Sequence, residues 1–218
     1  MLHTRSVRPA PELPEPIAVP WTMKPLSSAK TAIEHLDNGR LRMSIEHDVL
    51  HGVTPAMLVW WFRNLEGDVE IEGTRHSRYR VWHPRDHVAV RYHRLPPGGA
   101  GPGAVFHIHE VLARDPRYVV NVLTDVIRLD EGGFAHRPRR FGLHPAAMDY
   151  TFERVAGGTL YKNSLTVGLG LPRPLGFVNR AMVRREFDEA HGRAWLLHNV
   201  EEVGNLEHFL PRLFAGAG

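Results

Sequence analysis

The stretch from Gly176 to Phe209, GFVNRAMVRREFDEAHGRAWLLHNVEEVGNLEHF, decides how the chain is read. At 3.6 residues per turn, Phe187, Ala190, Ala194, Leu197, His198 and Glu201 or Glu202 fall near one helix face. Arg184, Arg185, Asp188, Glu189 and Arg193 mostly take the others. Gly204–Asn205, with Pro211 beyond, predicts the C-terminal stop. His198 and Glu202 are four residues apart and so lie one turn above each other. Imidazole and carboxylate at that spacing can close on one metal ion, although the same spacing is more often a solvated hydrogen-bonded pair. Trp195, Leu196, Leu197 and Val200 predict burial around the pair, and a buried carboxylate without a partner is costly, which favours a cation.

The other walls of such a site must come from the rest of the 218 residues. That length suits one domain with an appendage, and 43% hydrophobic residues suffice for a sizeable core. No run of 18 apolar residues predicts a membrane span. No apolar segment follows the basic N-terminal start, so no secretory signal is read and a cytoplasmic location is expected by default. Cysteine is absent, which excludes disulfides, thiolate catalysis and Cys-based zinc sites, and leaves imidazole and carboxylate as the metal-binding side chains. There are 15 histidines. A net charge of +3 and the isolated Arg137–Arg140 patch, without aromatic interleaving, do not predict nucleic-acid binding.

Residues 1–30 carry Pro9, Pro11, Pro14, Pro16, Pro20 and Pro25 without periodicity and are expected to form an extended arm, with a single domain over 31–218. Residues 41–49 are expected as the first strand. Thr54 as N-cap with Pro55 at the first helical position starts a helix through Trp60, Trp61 and Phe62, three aromatics read as core anchors or pocket walls. Val69–Tyr79 is ambiguous. Strands are expected from His87, where His87, Ala89, Arg91 and His93 share a face, over Ala104–Leu112, where Phe106, Ile108 and Glu110 share one, and over Tyr118–Leu129. Met148–Val155 and Thr159–Leu169 form a hairpin about Gly157–Gly158. A helix, meandering antiparallel strands and a long C-terminal helix make an α+β chain in the order of the Bet v 1/START-like helix-grip fold, a curved sheet around the last helix. Neighbouring antiparallel strands can bring His87 and Glu110 together, facing the helix. With His198 and Glu202 this is an N2O2 set suited to zinc, iron or manganese, with His83 and His107 as rival ligands.

Gly52–Val53–Thr54–Pro55, Trp60–Trp61–Phe62, Tyr79 with Trp82–His83–Pro84 and Asp86–His87, then His198 to Glu202 followed by Gly204–Asn205–Leu206 and Phe209–Leu210–Pro211, resemble the 2,4-diacetylphloroglucinol hydrolase family, to which phloretin hydrolase belongs. The resemblance implies one zinc held by His87, Glu110, His198 and Glu202, and hydrolysis of the carbon–carbon bond between an acyl group and a phenolic ring. It also implies tyrosines on the phenolic hydroxyls, Tyr79 by position and Tyr161 by looser alignment. His83, with His144 as a second candidate, is the expected proton donor. The expected partner is a small phenolic substrate, with no nucleic acid or membrane, and a homo-oligomer is left open. The rival reading is a non-catalytic START-like carrier of a small apolar ligand.

Overall fold

The computed structural model describes residues 13–217; the first twelve residues of the proline-rich arm lie outside the described residues. The chain runs β1 (Ala29–His35), β2 (Leu41–His47), β3 (Leu50–His51), α1 (Pro55–Arg63), β4 (Asp68–Ile71), β5 (Thr74–Ser77) and α2 (Arg78–Trp82). It continues through β6 (His87–Arg94), β7 (Val105–Val111), β8 (Val119–Asp130), β9 (Gly133–Arg139), β10 (Ala146–Val155), β11 (Gly158–Val167), α3 (Gly176–Glu186) and α4 (Glu189–Ala215). One antiparallel sheet has the order β1-β2-β11-β10-β9-β8-β7-β6, with β3 beside β11, and β4–β5 form a separate hairpin. Helix α4 lies against β2, α1 and α2, with the sheet curving around it. This is the helix-grip architecture.

Period-two alternation builds the sheet. On β10, Met148, Tyr150 and Phe152 are buried while Asp149 and Thr151 are exposed. On β6 the expected alternation fails for one residue. His87 pairs with Glu110, but the next pair is Ala89 with His109, so Val88 is bulged. The bulge turns His87 to the inner face with Val90, whereas the alternation had grouped it with Ala89 and Arg91.

The helices show two further corrections. The predicted Gly176–Phe209 helix is two helices, because Asp188 caps α4 by accepting the His191 N–H at 2.9 Å. The predicted stop at Gly204–Asn205 does not occur, and α4 continues to Ala215 through Pro211. Tertiary contacts override the local signal here. Asn205 spends its amide on other elements, accepting Trp21 Nε1–H at 3.0 Å and donating to the Trp82 carbonyl at 2.9 Å. Gly204 lets the Lys24 stem cross the helix, since a Cβ there would sit 2.8 Å from Lys24 Cδ. Nearly every side of α4 between Trp195 and Leu210 is buried, as for a central helix.

The described part of the arm lies on the domain. Ile17 N–H donates to the Pro84 carbonyl at 3.0 Å, Trp21 stacks on His208 at 5.2 Å, and Lys24 pairs with Glu207 at 2.9 Å. Its end enters the sheet, since β1 begins at Ala29 and precedes the strand expected to be first. Helix α1 starts as predicted, with Thr54 accepting the Met57 N–H. Trp61 packs edge-on against Trp82 at 5.7 Å, and Trp60 lies under Arg78, while Phe62 faces the interior cavity. No helix among the described residues is long and apolar enough to cross a membrane.

Candidate metal centre

Between α4 and the concave face lies a cavity of about 320 Å³. Three side chains of its wall, Glu110, His198 and Glu202, meet a fourth, His87, just behind it. His87 opens β6, and its β7 partner Glu110 faces inward with Ile108 and Phe106, while one turn of α4 supplies His198 and Glu202. His87 Nε2 is 3.3 Å from Glu202 Oε2 and 3.5 Å from Glu110 Oε1. His198 Nε2 is 3.8 Å from an oxygen of each carboxylate. Donors bound to one tetrahedral ion at about 2.0–2.1 Å are about 3.3 Å apart, close to these imidazole–carboxylate spacings, and His87, Glu110 and His198 offer ligand atoms within 4.8 Å of one another.

The imidazole tautomers fit the same purpose. His87 Nδ1–H donates to the Tyr79 carbonyl at 2.7 Å, which leaves Nε2 as a buried lone pair with no hydrogen-bond partner among the described residues. His198 Nδ1–H donates to Asp86 Oδ2 at 3.0 Å, and the Ala113 N–H holds the same oxygen at 2.8 Å. Both Nε2 atoms are therefore directed to the carboxylates. A carboxylate or carbonyl behind each ligating imidazole is the usual support of a metal-bound histidine. The residues fit a divalent ion.

Electrostatics point the same way. Burial pushes the Glu202 carboxyl up to about 8, with Glu110 and Asp86 adding to the rise and His198 opposing it. Burial raises Glu110 as well. Burial would lower His198, but the Asp86 hydrogen bond, then Glu202 and Glu110, lift it to about 9. Burial, then His198 and His83, drive His87 well below the ordinary range. Two carboxylates and two imidazoles withdrawn from water in this way are relieved by a cation.

The other predicted residues are placed differently. Tyr79 is on the cavity wall, its hydroxyl donating to Glu110 Oε1 and its ring stacked on His87 at 3.9 Å. His83 lies behind His198, rings stacked at 4.3 Å, and is not on the cavity wall. Its Nδ1 accepts the Asp86 N–H at 3.1 Å, so its Nε2–H donates to Glu201 Oε2 at 3.0 Å. His83 is thus placed behind the centre, tied to Asp86 and Glu201. Its atoms also approach Asp86 and His198 closely enough to form a second group able to hold an ion, but hydrogen bonds already account for that arrangement. Tyr161 is fully buried between His47 and Phe152, away from the cavity. His107 faces the opposite side of β7 from Glu110 and bonds Asn121 at 2.7 Å, and His144 is half-exposed near Asp125.

Sequence reasoning missed a pair on the cavity wall, His136 and Tyr150. Thr124 Oγ1 lies 2.7 Å from His136 Nδ1, and His136 Nε2 lies 3.3 Å from the Tyr150 hydroxyl. Burial, then Arg137, lowers His136 to about 3, and burial, then Glu202 and Glu110, raises Tyr150 well above 10, so both are neutral near pH 7. The period-two pattern of β10 placed Tyr150 with Met148 and Phe152, which was the available signal.

The chain is thus a helix-grip protein of the Bet v 1/START-like kind with a buried His/Asp/Glu cluster able to hold a metal ion. Residues 23–99 match the family described as DAPG hydrolase PhiG domain, the family whose resemblance the motifs carry. That stretch contains Tyr79, His83, Asp86 and His87, while Glu110, His198 and Glu202 lie beyond it. Among solved structures the chain is similar to Ara h 8.0201, at 17% identity over 72% of this chain and 99% of that one, with a TM-score of 0.41. It is also similar to a START superfamily protein from Mycobacterium smegmatis, at 12% identity over 72% and 98%, with a TM-score of 0.41. No curated protein matches the chain in sequence.

Proposed function

We propose that the protein is a zinc-dependent hydrolase of the carbon–carbon bond between an acyl group and a phenolic ring. The observation that carries this reading is the convergence of His87, Glu110, His198 and Glu202 beside a largely apolar cavity that the last three line, both imidazoles presenting Nε2 to the centre. The match of residues 23–99 to the DAPG hydrolase family supports this reaction class. A ligand carrier needs only the apolar walls and has no use for two buried carboxylates.

His87, Glu110, His198 and Glu202 would hold a divalent ion, which when bound would supply water acidic enough to act near neutral pH. The protein's own groups do the rest. Glu110, held by the Tyr79 hydroxyl, and Glu202 are placed to take the proton of the attacking water. The aryl–acyl bond then breaks with its electron pair passing to the ring carbon, which a phenol can accept as its keto tautomer. With Thr124 donating to His136 Nδ1, the Nε2–H donates to the Tyr150 oxygen and leaves the Tyr150 O–H to hydrogen-bond the ring hydroxyl and deliver a proton. Phe62, Phe106 and Phe134 surround that position and exclude water.

The test is incubation of zinc-loaded protein with acylphloroglucinols, followed by product analysis. The expected result is the free phenol and carboxylic acid in equal amounts, abolished by a chelator and restored by zinc. Tight binding of every acyl phenol with no cleavage would favour the carrier.

A further inference from the structure

Resting on the acyl-phenol reading, we infer that the cavity accepts substrates whose acyl group is a straight chain of about six to eight carbons, longer than acetyl. The two halves of the cavity differ in chemistry. The deep half is aromatic and carries the hydroxyls of Tyr79 and Tyr150, with Phe62, Phe106 and Phe134 at most 3% exposed. The outer half is walled by the half-buried Val119, Val120, Val122 and Met182 on one side and by Trp195, His191 and Phe187 on the other. The paired hydroxyls of Tyr79 and Tyr150 beside Glu110 and Glu202 suit phenolic hydroxyls, so the ring is placed there and the acyl arm points outward. Asn199, the amide on that side, is already engaged, accepting from Asn163 at 2.7 Å and donating to the Trp195 carbonyl at 3.0 Å.

Length narrows the arm further. The α4 wall runs from Glu202 to His191, eleven residue steps or about 16 Å at the helical rise. A benzene ring with an acetyl group spans about 8 Å when built from bonds of about 1.5 Å, which leaves the outer half to water against largely apolar walls. From His198 to His191 the wall measures about 10 Å, room for six to eight carbons at about 1.3 Å each. The reaction remains a hydrolysis. The water oxygen bonds to the acyl carbon, the aryl–acyl bond breaks, its pair and a proton end on the ring carbon, and the alkanoic acid leaves.

The experiment compares acetyl-, butanoyl-, hexanoyl-, octanoyl- and dodecanoylphloroglucinol on the zinc-loaded full chain, reading kcat/KM and, by calorimetry, Kd. Both should improve by up to about fourfold per methylene as far as six to eight carbons and then level off. A Val122→Trp variant should cut the hexanoyl-over-acetyl ratio at least tenfold. Equal or better handling of acetyl in both measurements would overturn the inference while leaving the hydrolase reading intact. Tighter hexanoyl binding with no cleavage of any member would keep the arm and sink the hydrolysis.

Discussion

A Glu202→Gln variant is expected to lower kcat/KM for acyl phenols by at least about 10³-fold, and yet to raise the stability of the metal-free protein above that of the wild type. The first effect follows from losing a charged ligand and the proton acceptor, together worth several kcal/mol of transition-state stabilisation. The second follows from the carboxyl's surroundings. Its folded-state value of about 8 lies above the ordinary 4.5, so its contribution to stability is fully present below about pH 4.5 and is lost as pH rises through 8. His198, lifted to about 9 from 6.5, loses its contribution over an overlapping window. The metal-free wild type should therefore lose stability between pH 6.5 and 8, by up to about 1.4 kcal/mol per pH unit for each proton the folded state retains. Glutamine removes one of those protons and should flatten the slope. Zinc should reverse the trend in the wild type, because ligands must be deprotonated to bind it. Thermal unfolding at pH 6.5 and 8, with and without zinc, checks this. A variant whose metal-free unfolding temperature drops at pH 8 would contradict the electrostatic account.

Tyr150→Phe is the second large effect. The ring keeps its contacts with Phe134, at 5.3 Å, and Phe62, at 6.0 Å, so the cavity wall remains. The hydroxyl that receives His136 Nε2–H is lost, and with it the donor aimed at the leaving ring. A fall in kcat of about 10²–10³-fold is expected, with unchanged zinc content and a smaller change in KM. Leaving the His136 N–H unpaired should also cost about 1–3 kcal/mol of stability. Steady-state kinetics beside metal analysis separate the two consequences. A wild-type kcat would remove Tyr150 from the mechanism and return the proton donor to question.

What the sequence revealed follows from how local each signal is. A four-residue spacing on a helix fixes two side chains relative to each other whatever the tertiary structure, so His198 and Glu202 could be paired on sight. Alternation on β7 put Glu110 with Phe106 and Ile108, and the fold keeps that face inward. The bulge at Val88 was invisible because it reassigns faces without changing residue type, and it is what turns His87 toward Glu110. The break at Asp188 was legible as an N-cap but was overrun by apolar periodicity. The false stop at Gly204–Asn205 used residues that are common at helix ends, here committed to Trp21, Trp82 and Lys24 from distant parts of the chain. Asp86 and Glu201 could be seen as carboxylates but not as the braces of His198 and His83, since that depends on side-chain geometry across more than a hundred residues. His136 and Tyr150, on adjacent strands, required the β9–β10 register, which no single segment encodes.

The measurement that bears most directly on the central claim is elemental analysis of the purified chain beside a His198→Ala/Glu202→Ala double variant, both supplied with zinc and dialysed. The account predicts about one zinc per chain in the wild type and background levels in the variant, with the fold of both verified by circular dichroism. A wild type that retains no metal, or a folded double variant that retains as much, would contradict it.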